Sequence, residues 1–194
     1  GVSLARAYQQ LVQRGRLPAD AQVSIAGWIR PVAEPEVAVY LGQDIPPDAS
    51  PDLIRRAIVA VGPAIELADV DRPAHEHLEE VVAGNVYHRH FLLGPRAAVH
   101  EGSDLSGLAG HIFRAGHQPT AVEDLQASPG RALEVLAGMA RRLAQVGEAL
   151  RAGQVVITGS VVPPIPLTEQ DDSLSFELAG VGRVGVRFRM PANA

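Results

Sequence analysis

Between Arg30 and Leu41 the chain alternates, with Val37, Val39 and Leu41 on one side of the count and Glu36, Ala38 and Tyr40 on the other. A two-residue period is that of a strand with one face in a core. Side chains two apart on a strand point the same way, so Glu34 and Glu36 share a face. Pro35 has no N–H to give to a ladder, which predicts the beginning of a strand or a sheet edge. Two neighbouring carboxylates repel. They stand together if solvated, if one is protonated, or if a divalent cation lies between them. An exposed strand end is the plainest account of the pair. Glu66 adds a third acid, in the short apolar run Ala64–Asp69.

The 194 residues suffice for one domain with a full core. No apolar run approaches the roughly 20 residues a membrane helix needs, so no membrane partner is expected. The net charge of −5 gives no general attraction for nucleic acid. Without cysteine there is no disulfide, thiolate metal site or thiol nucleophile. No signal-peptide pattern is visible at the start, which makes the cytoplasm the default expectation. All 17 basic residues are arginine, which removes lysine Schiff-base and general-acid chemistry.

Taken in order, Ser3–Arg14 reads as a helix with Leu4, Tyr8, Leu11 and Val12 on one face, and 16–24 as a polar connector. Ser50-Pro51-Asp52 opens a second helix, with serine as cap and proline at its first position. Its buried face is Leu53, Ile54, Ala57, Ile58 and Val61, its end Gly62-Pro63, and the Glu66 strand follows. Pro73–Val82 reads as a polar helix; His75 and His77 within it do not face each other, and a solvated face is the better reading. His88 and His90 would share a face if extended, and could serve as acid or base near neutral pH. Short strands are expected over Ala97–His100 and Leu105–Phe113. Ser128-Pro129 opens another helix, with the stripe Leu133, Leu136, Ala137, Ala140, Leu143 and Ala144. Strands over Gln154–Ser160, Ser173–Leu178 and Arg183–Arg189 complete a β-rich α+β domain, a rolled mixed sheet with a few helices. The expected organisation is an N-terminal helix and connector over 1–24 and one domain over 25–194.

Assembled in this order, these residues resemble the fumarylacetoacetate hydrolase superfamily, in particular its branch of 2-oxopent-4-enoate (2-hydroxypentadienoate) hydratases and 4-oxalocrotonate decarboxylases. The likeness runs from Ile29 to Phe188. Pro31–Leu41 is similar to the family's Glu-x-Glu strand, Ala64–Asp69 to the strand with its third acidic ligand, and Arg151–Ser160 to its strand and turn after a long helix. Gly84-Asn85 followed by Phe91–Gly94 is a looser match. The resemblance implies a mixed β-sheet roll and a Mg²⁺ or Mn²⁺ on Glu34, Glu36 and Glu66. Such an ion chelates a short 2-oxo acid, polarises its carbonyl and stabilises an enolate as it forms. The chain departs from the family in having no lysine for the usual active-site position, and Val32 and Ala33 where an arginine is usual.

The resulting expectation is a metal-dependent lyase, hydratase or decarboxylase, acting on a small 2-oxo acid or its enol. Asn85, Thr158 and Ser160 would orient substrate, and His88 or His90 would carry protons in place of the lysine. The plainer reading of Thr158-Gly159-Ser160 is a tight turn. Two other readings are a non-catalytic structural or regulatory relative, and an enzyme of secondary metabolism using the same pocket. A homo-oligomer is expected, both from the family and from exposed strand ends.

Overall fold

The structure is a computed structural model that describes residues 15–71, 80, 85–99 and 105–189. The helices expected over Ser3–Arg14 and Pro73–Val82, with His75 and His77, lie outside those residues. Among the described residues no helix is long and apolar enough to cross a membrane.

The chain forms β1 (Arg16–Leu17), β2 (Ala21–Ser24), β3 (Pro31–Leu41), α1 (Pro51–Ala57), β4 (Ile58–Asp69), β5 (His88–Leu93), β6 (Ala97–Ala98), β7 (Gly110–Arg114) and β8 (Thr120–Val122). After these come α2 (Ala132–Gln145), β9 (Val155–Ser160), β10 (Ile165–Pro166), β11 (Ser173–Leu178) and β12 (Gly182–Arg189). One sheet has the order β1-β5-β4-β3-β10, with β6 beside β4 and β9 beside β3; the other has the order β2-β12-β11-β7-β8. Both are mixed, since β1 runs parallel to β5 and β2 parallel to β12 while the remaining pairs are antiparallel. This is the expected β-rich α+β architecture. The stretch 16–24, expected as connector, gives a strand to each sheet.

The second sheet follows its sequence pattern closely. In β11, Leu174, Phe176 and Leu178 are buried between more open Ser173, Ser175 and Glu177, and in β12 Val184, Val186 and Phe188 are buried. These residues meet Ile65, Leu67 and Leu92 of the first sheet in one core.

Three local expectations change. Helix α1 starts as expected, with Ser50 Oγ accepting from Leu53 N–H at 3.3 Å, but it ends at Ala57. Ile58–Pro63 is strand. The β-branched Ile58, Val59 and Val61 favour extended backbone, and pairing with β3 continues to Leu41↔Ile58. Helix α2 starts at Ala132 rather than at Ser128-Pro129. Gly130 takes a left-handed φ of 91°, and the Gln126 side-chain oxygen accepts the Ala132 N–H at 2.9 Å. Ala132, Leu136 and Ala140 are its buried stripe, while Ala144 is exposed.

The third change concerns Pro35, expected at a strand start or edge. It lies inside β3, which has β4 along one side and two short strands end to end along the other: β10 beside Val32 and Ala33, β9 beside Glu36–Tyr40. The Pro35 carbonyl accepts from Val161 N–H at 2.9 Å, so the side lacking an N–H faces the seam between those strands. Pro63 repeats the arrangement in β4. Its carbonyl accepts from Gly94 N–H at 2.9 Å, where β5 gives way to β6.

Candidate metal centre

Glu34 and Glu36 project from the face of β3 turned away from the main core, and Glu66 lies directly across from Glu34 in the β3–β4 register. One carboxylate oxygen from each comes within 4.8 Å of the others. Glu36 is only 2% exposed. The same face carries a second apolar cluster of Ala38, Ala64, Phe91 and Leu93, with Tyr40 and Ile157 against it. The acids therefore stand at the border of a small apolar floor.

Like charges across a strand pair destabilise it. Burial, then the nearby Glu66 carboxylate, push the Glu36 carboxyl well above its usual range, and the Gly159 N–H only partly opposes this. Burial and Glu66 also raise Glu34. The cluster thus holds more negative charge than its protein donors offset. Three oxygen-only ligands suit a hard cation such as Mg²⁺ or Mn²⁺. Two buried polar atoms beside them, His88 Nε2 and Ser160 Oγ, have no hydrogen-bond partner among the described residues. The donor set and these orphaned atoms fit a hydrated ion.

Two irregularities bring side chains to the acids. Arg89 is an extra residue in β5: His90 pairs with Leu67, and His88 with Ala68. His88 is thereby carried to the acids' face, where Nδ1 meets Glu66 Oε1 at 2.6 Å. His90 falls on the opposite face, its ring stacked near Trp28 with centroids 6.1 Å apart. The two histidines expected to share a face do not, because the bulge breaks the two-residue period. In β9 the register shifts between the pairs Glu36↔Ser160 and Ala38↔Ile157. Gly159, with φ 102°, then donates its N–H to Glu36 Oε2 at 2.7 Å.

The structure therefore brings together Glu34, Glu36, Glu66, His88 and Ser160. The Thr158 hydroxyl donates across to the Val37 carbonyl of β3 at 3.1 Å, and Thr158-Gly159-Ser160 is the end of strand β9 rather than the tight turn its sequence also allowed. Asn85 sits in the turn before β5, where its carbonyl accepts the His88 N–H at 3.0 Å. Gly159 is the contact that sequence reading missed; the only signal for it was a glycine between two small hydroxyl residues.

A two-sheet roll with three convergent carboxylates on one strand pair presents an all-oxygen donor set suited to a divalent cation. No family model matches the chain. A 2-keto-4-pentenoate hydratase of Dechloromonas aromatica is 30% identical over 174 residues, covering 87% of this chain and 65% of that protein. The structure of 4-oxalocrotonate decarboxylase from Pseudomonas putida G7, complexed with calcium and acetate, aligns with TM-score 0.78 and 26% identity over 97% of this chain and 74% of that one. A fumarylacetoacetate hydrolase family protein from Yersinia pestis shares the fold at TM-score 0.64 and 21% identity, over 90% of this chain and 81% of that one. Along most of its length the chain is similar to 2-keto-4-pentenoate hydratases and 4-oxalocrotonate decarboxylases, and it shares the fold of a fumarylacetoacetate hydrolase family protein. It spans 61% and 65% of the lengths of the first curated decarboxylase and hydratase it matches.

Proposed function

We propose that this protein is a divalent-metal-dependent lyase acting on a short 2-oxo acid or its enol, by hydration or decarboxylation. The observation that carries the reading is the convergence of Glu34, Glu36 and Glu66, whose ligand atoms lie within 4.8 Å of one another. The solved decarboxylase, crystallised with calcium and acetate and again with magnesium and adipate, supports a divalent ion beside a carboxylate. A bound Mg²⁺ or Mn²⁺ supplies Lewis-acid polarisation of a chelating oxygen.

The chain's own residues do the remaining work. Glu34, Glu36 and Glu66 hold the ion, and Gly159 fixes one oxygen of Glu36. Ser160 Oγ offers a hydroxyl next to Glu36 for orienting substrate, while Asn85 shapes the turn before β5 and Thr158 ties β9 to β3. Phe91, Leu93 and Ile157 exclude water from the apolar floor. With no lysine in the sequence, proton transfer falls to His88 or to water. His90, on the other face, is the weaker candidate. Self-association is part of the same reading, and light scattering on the purified protein tests it; a monomer at micromolar concentration would remove it.

The decisive experiment melts the metal-stripped protein with and without Mg²⁺ or Mn²⁺, because a ligand of the native state must raise its stability. The expected rise disappears in Glu36→Ala; an unchanged rise in that variant defeats the site. Turnover is then followed by ultraviolet absorbance with 2-hydroxypenta-2,4-dienoate, 4-oxalocrotonate and oxaloacetate. Activity abolished by EDTA and restored by metal is the expected result. Metal binding without turnover of any of these acids supports instead a non-catalytic relative.

A further inference from the structure

Glu36 and Glu66 each have one carboxylate oxygen held from outside the acid cluster, and the two holders differ in kind. Gly159 offers Glu36 a backbone N–H, whereas Glu66 depends on a side chain, that of His88. The His88 side chain is only 9% exposed. It reaches this position through the extra residue in β5 and through three successive residues in left-handed backbone: Asn85, Val86 and Tyr87, with φ 62°, 51° and 67°. For β-branched Val86 that conformation is a costly one. Two hydrogen bonds hold the turn, Asp69 N–H to the Tyr87 carbonyl and His88 N–H to the Asn85 carbonyl, each at 3.0 Å. A strained turn at the root of one side chain over-determines where that side chain points.

We propose that His88 is a positioning residue of the cation site: its Nδ1–H donates to Glu66 Oε1, fixes the rotation of that carboxylate, and leaves Oε2 for the ion. An ionised Glu66 only accepts hydrogen bonds, so the proton of this contact belongs to Nδ1. Nε2 is buried and, among the described residues, has no partner, which leaves it for a water or a polar group of a ligand. Donors outside the coordination sphere orient ligands in this way, and losing one typically weakens metal binding about 10–100-fold. Phe91 pairs directly with Glu66 and, at 6.0 Å between ring centroids, lies against His88, so the imidazole has a packed wall behind it.

This inference rests on the three acids being a cation site, and the experiment separates the two. Mn²⁺ alone is titrated into metal-stripped wild type, His88→Asn, His88→Gln and His88→Phe, with the free aquo ion counted by electron paramagnetic resonance. Asparagine keeps a donor near the Nδ1 position, glutamine moves it to that of Nε2, and phenylalanine keeps only ring volume. His88→Asn is expected within about threefold of wild type, and His88→Gln and His88→Phe weaker by about 10–100-fold. In the wild type, ¹⁵N spectra of the ring are expected to show a proton on Nδ1. If His88→Phe binds Mn²⁺ as tightly as wild type, the positioning role is wrong while the cation site stands. Equal losses in all three variants also overturn it, since a retained donor would then have rescued nothing. If wild type itself takes up no Mn²⁺, the cation site fails and this role with it. Melting of each metal-free variant reports folding; should the phenylalanine variant not fold, the glutamine variant carries the comparison.

Discussion

Glu36 and Asp171 are equally hidden, each 2% exposed, yet they sit in opposite circumstances. Asp171, just before β11, is met by the Arg114 guanidinium through both carboxylate oxygens and by the Thr168 N–H and hydroxyl at 2.7 and 2.9 Å. Burial alone would raise its pKa, but these donors outweigh burial and hold it at about 2. Glu36 has one backbone donor and two carboxylate neighbours, and its pKa is pushed well up. Burial by itself therefore does not say what a charged group is for. Asp171 is complete within the chain and serves the fold; among the described residues Glu36 has no positive partner, which fits the proposed cation site.

The largest effect expected from this contrast is at Asp171. Replacement by alanine strands the Arg114 guanidinium and the Thr168 donors, and should cost about 3–5 kcal/mol in urea unfolding. A loss below about 1 kcal/mol would make the pair no more than a surface bridge. Next comes the metal. At a hundred times its dissociation constant, Mg²⁺ or Mn²⁺ should add about 2.7 kcal/mol to wild type and nothing to Glu36→Gln. In the absence of metal the sign reverses, and Glu36→Gln should be more stable than wild type by about 1 kcal/mol at neutral pH, because an uncompensated buried charge has gone.

The pH dependence separates the two carboxylates in the same way. Asp171 has a depressed folded pKa, so its contribution is present above its usual 3.8 and is lost as the pH falls towards about 2. Glu34 and Glu36 have raised folded pKa values, so the metal-free protein should lose stability as the pH rises from their usual 4.5 towards those values. Melting curves across both ranges check this; Glu36→Gln should flatten only the upper one, and a common slope would erase the distinction. The smallest effect is expected at Pro35→Ala. The new N–H would face the seam between β9 and β10, so the change should stay within about 1 kcal/mol.

How much of this could be read beforehand follows the same division. In β11 the alternation of buried and open residues is unbroken, in β12 only buried Gly185 interrupts it, and the pattern placed both strands to within a residue. The three acids were legible too, because Glu34 and Glu36 share a strand face and Glu66 interrupts an apolar run. The missed features are those where the period fails. Arg89 as a bulge separates His88 from His90, and the register shift in β9 turns Gly159 towards Glu36. Neither has a local signal, since each is fixed by the strand alongside. Asp171 was overlooked for a related reason: its partner Arg114 lies 57 residues away, and no spacing rule joins them. Gly130 ended the expectation of a helix start at Pro129 by its own backbone, with the Gln126 side chain accepting the Ala132 N–H from six residues earlier.

The two seams at Pro35 and Pro63 carry a consequence for how such a chain can change. At each, the neighbouring ladder has already stopped, and the crossing segment (161–164 in one case, 94–96 in the other) owes few backbone hydrogen bonds to the strand beside it. Residues could be added to or removed from either crossing while β3 and β4, and the acids they carry, stay in register. The 161–164 crossing begins immediately after Ser160, so its length would alter what stands beside the acids and leave the acids themselves in place. New ligand preferences could then arise by loop growth at a proline gap, with the charged floor inherited intact.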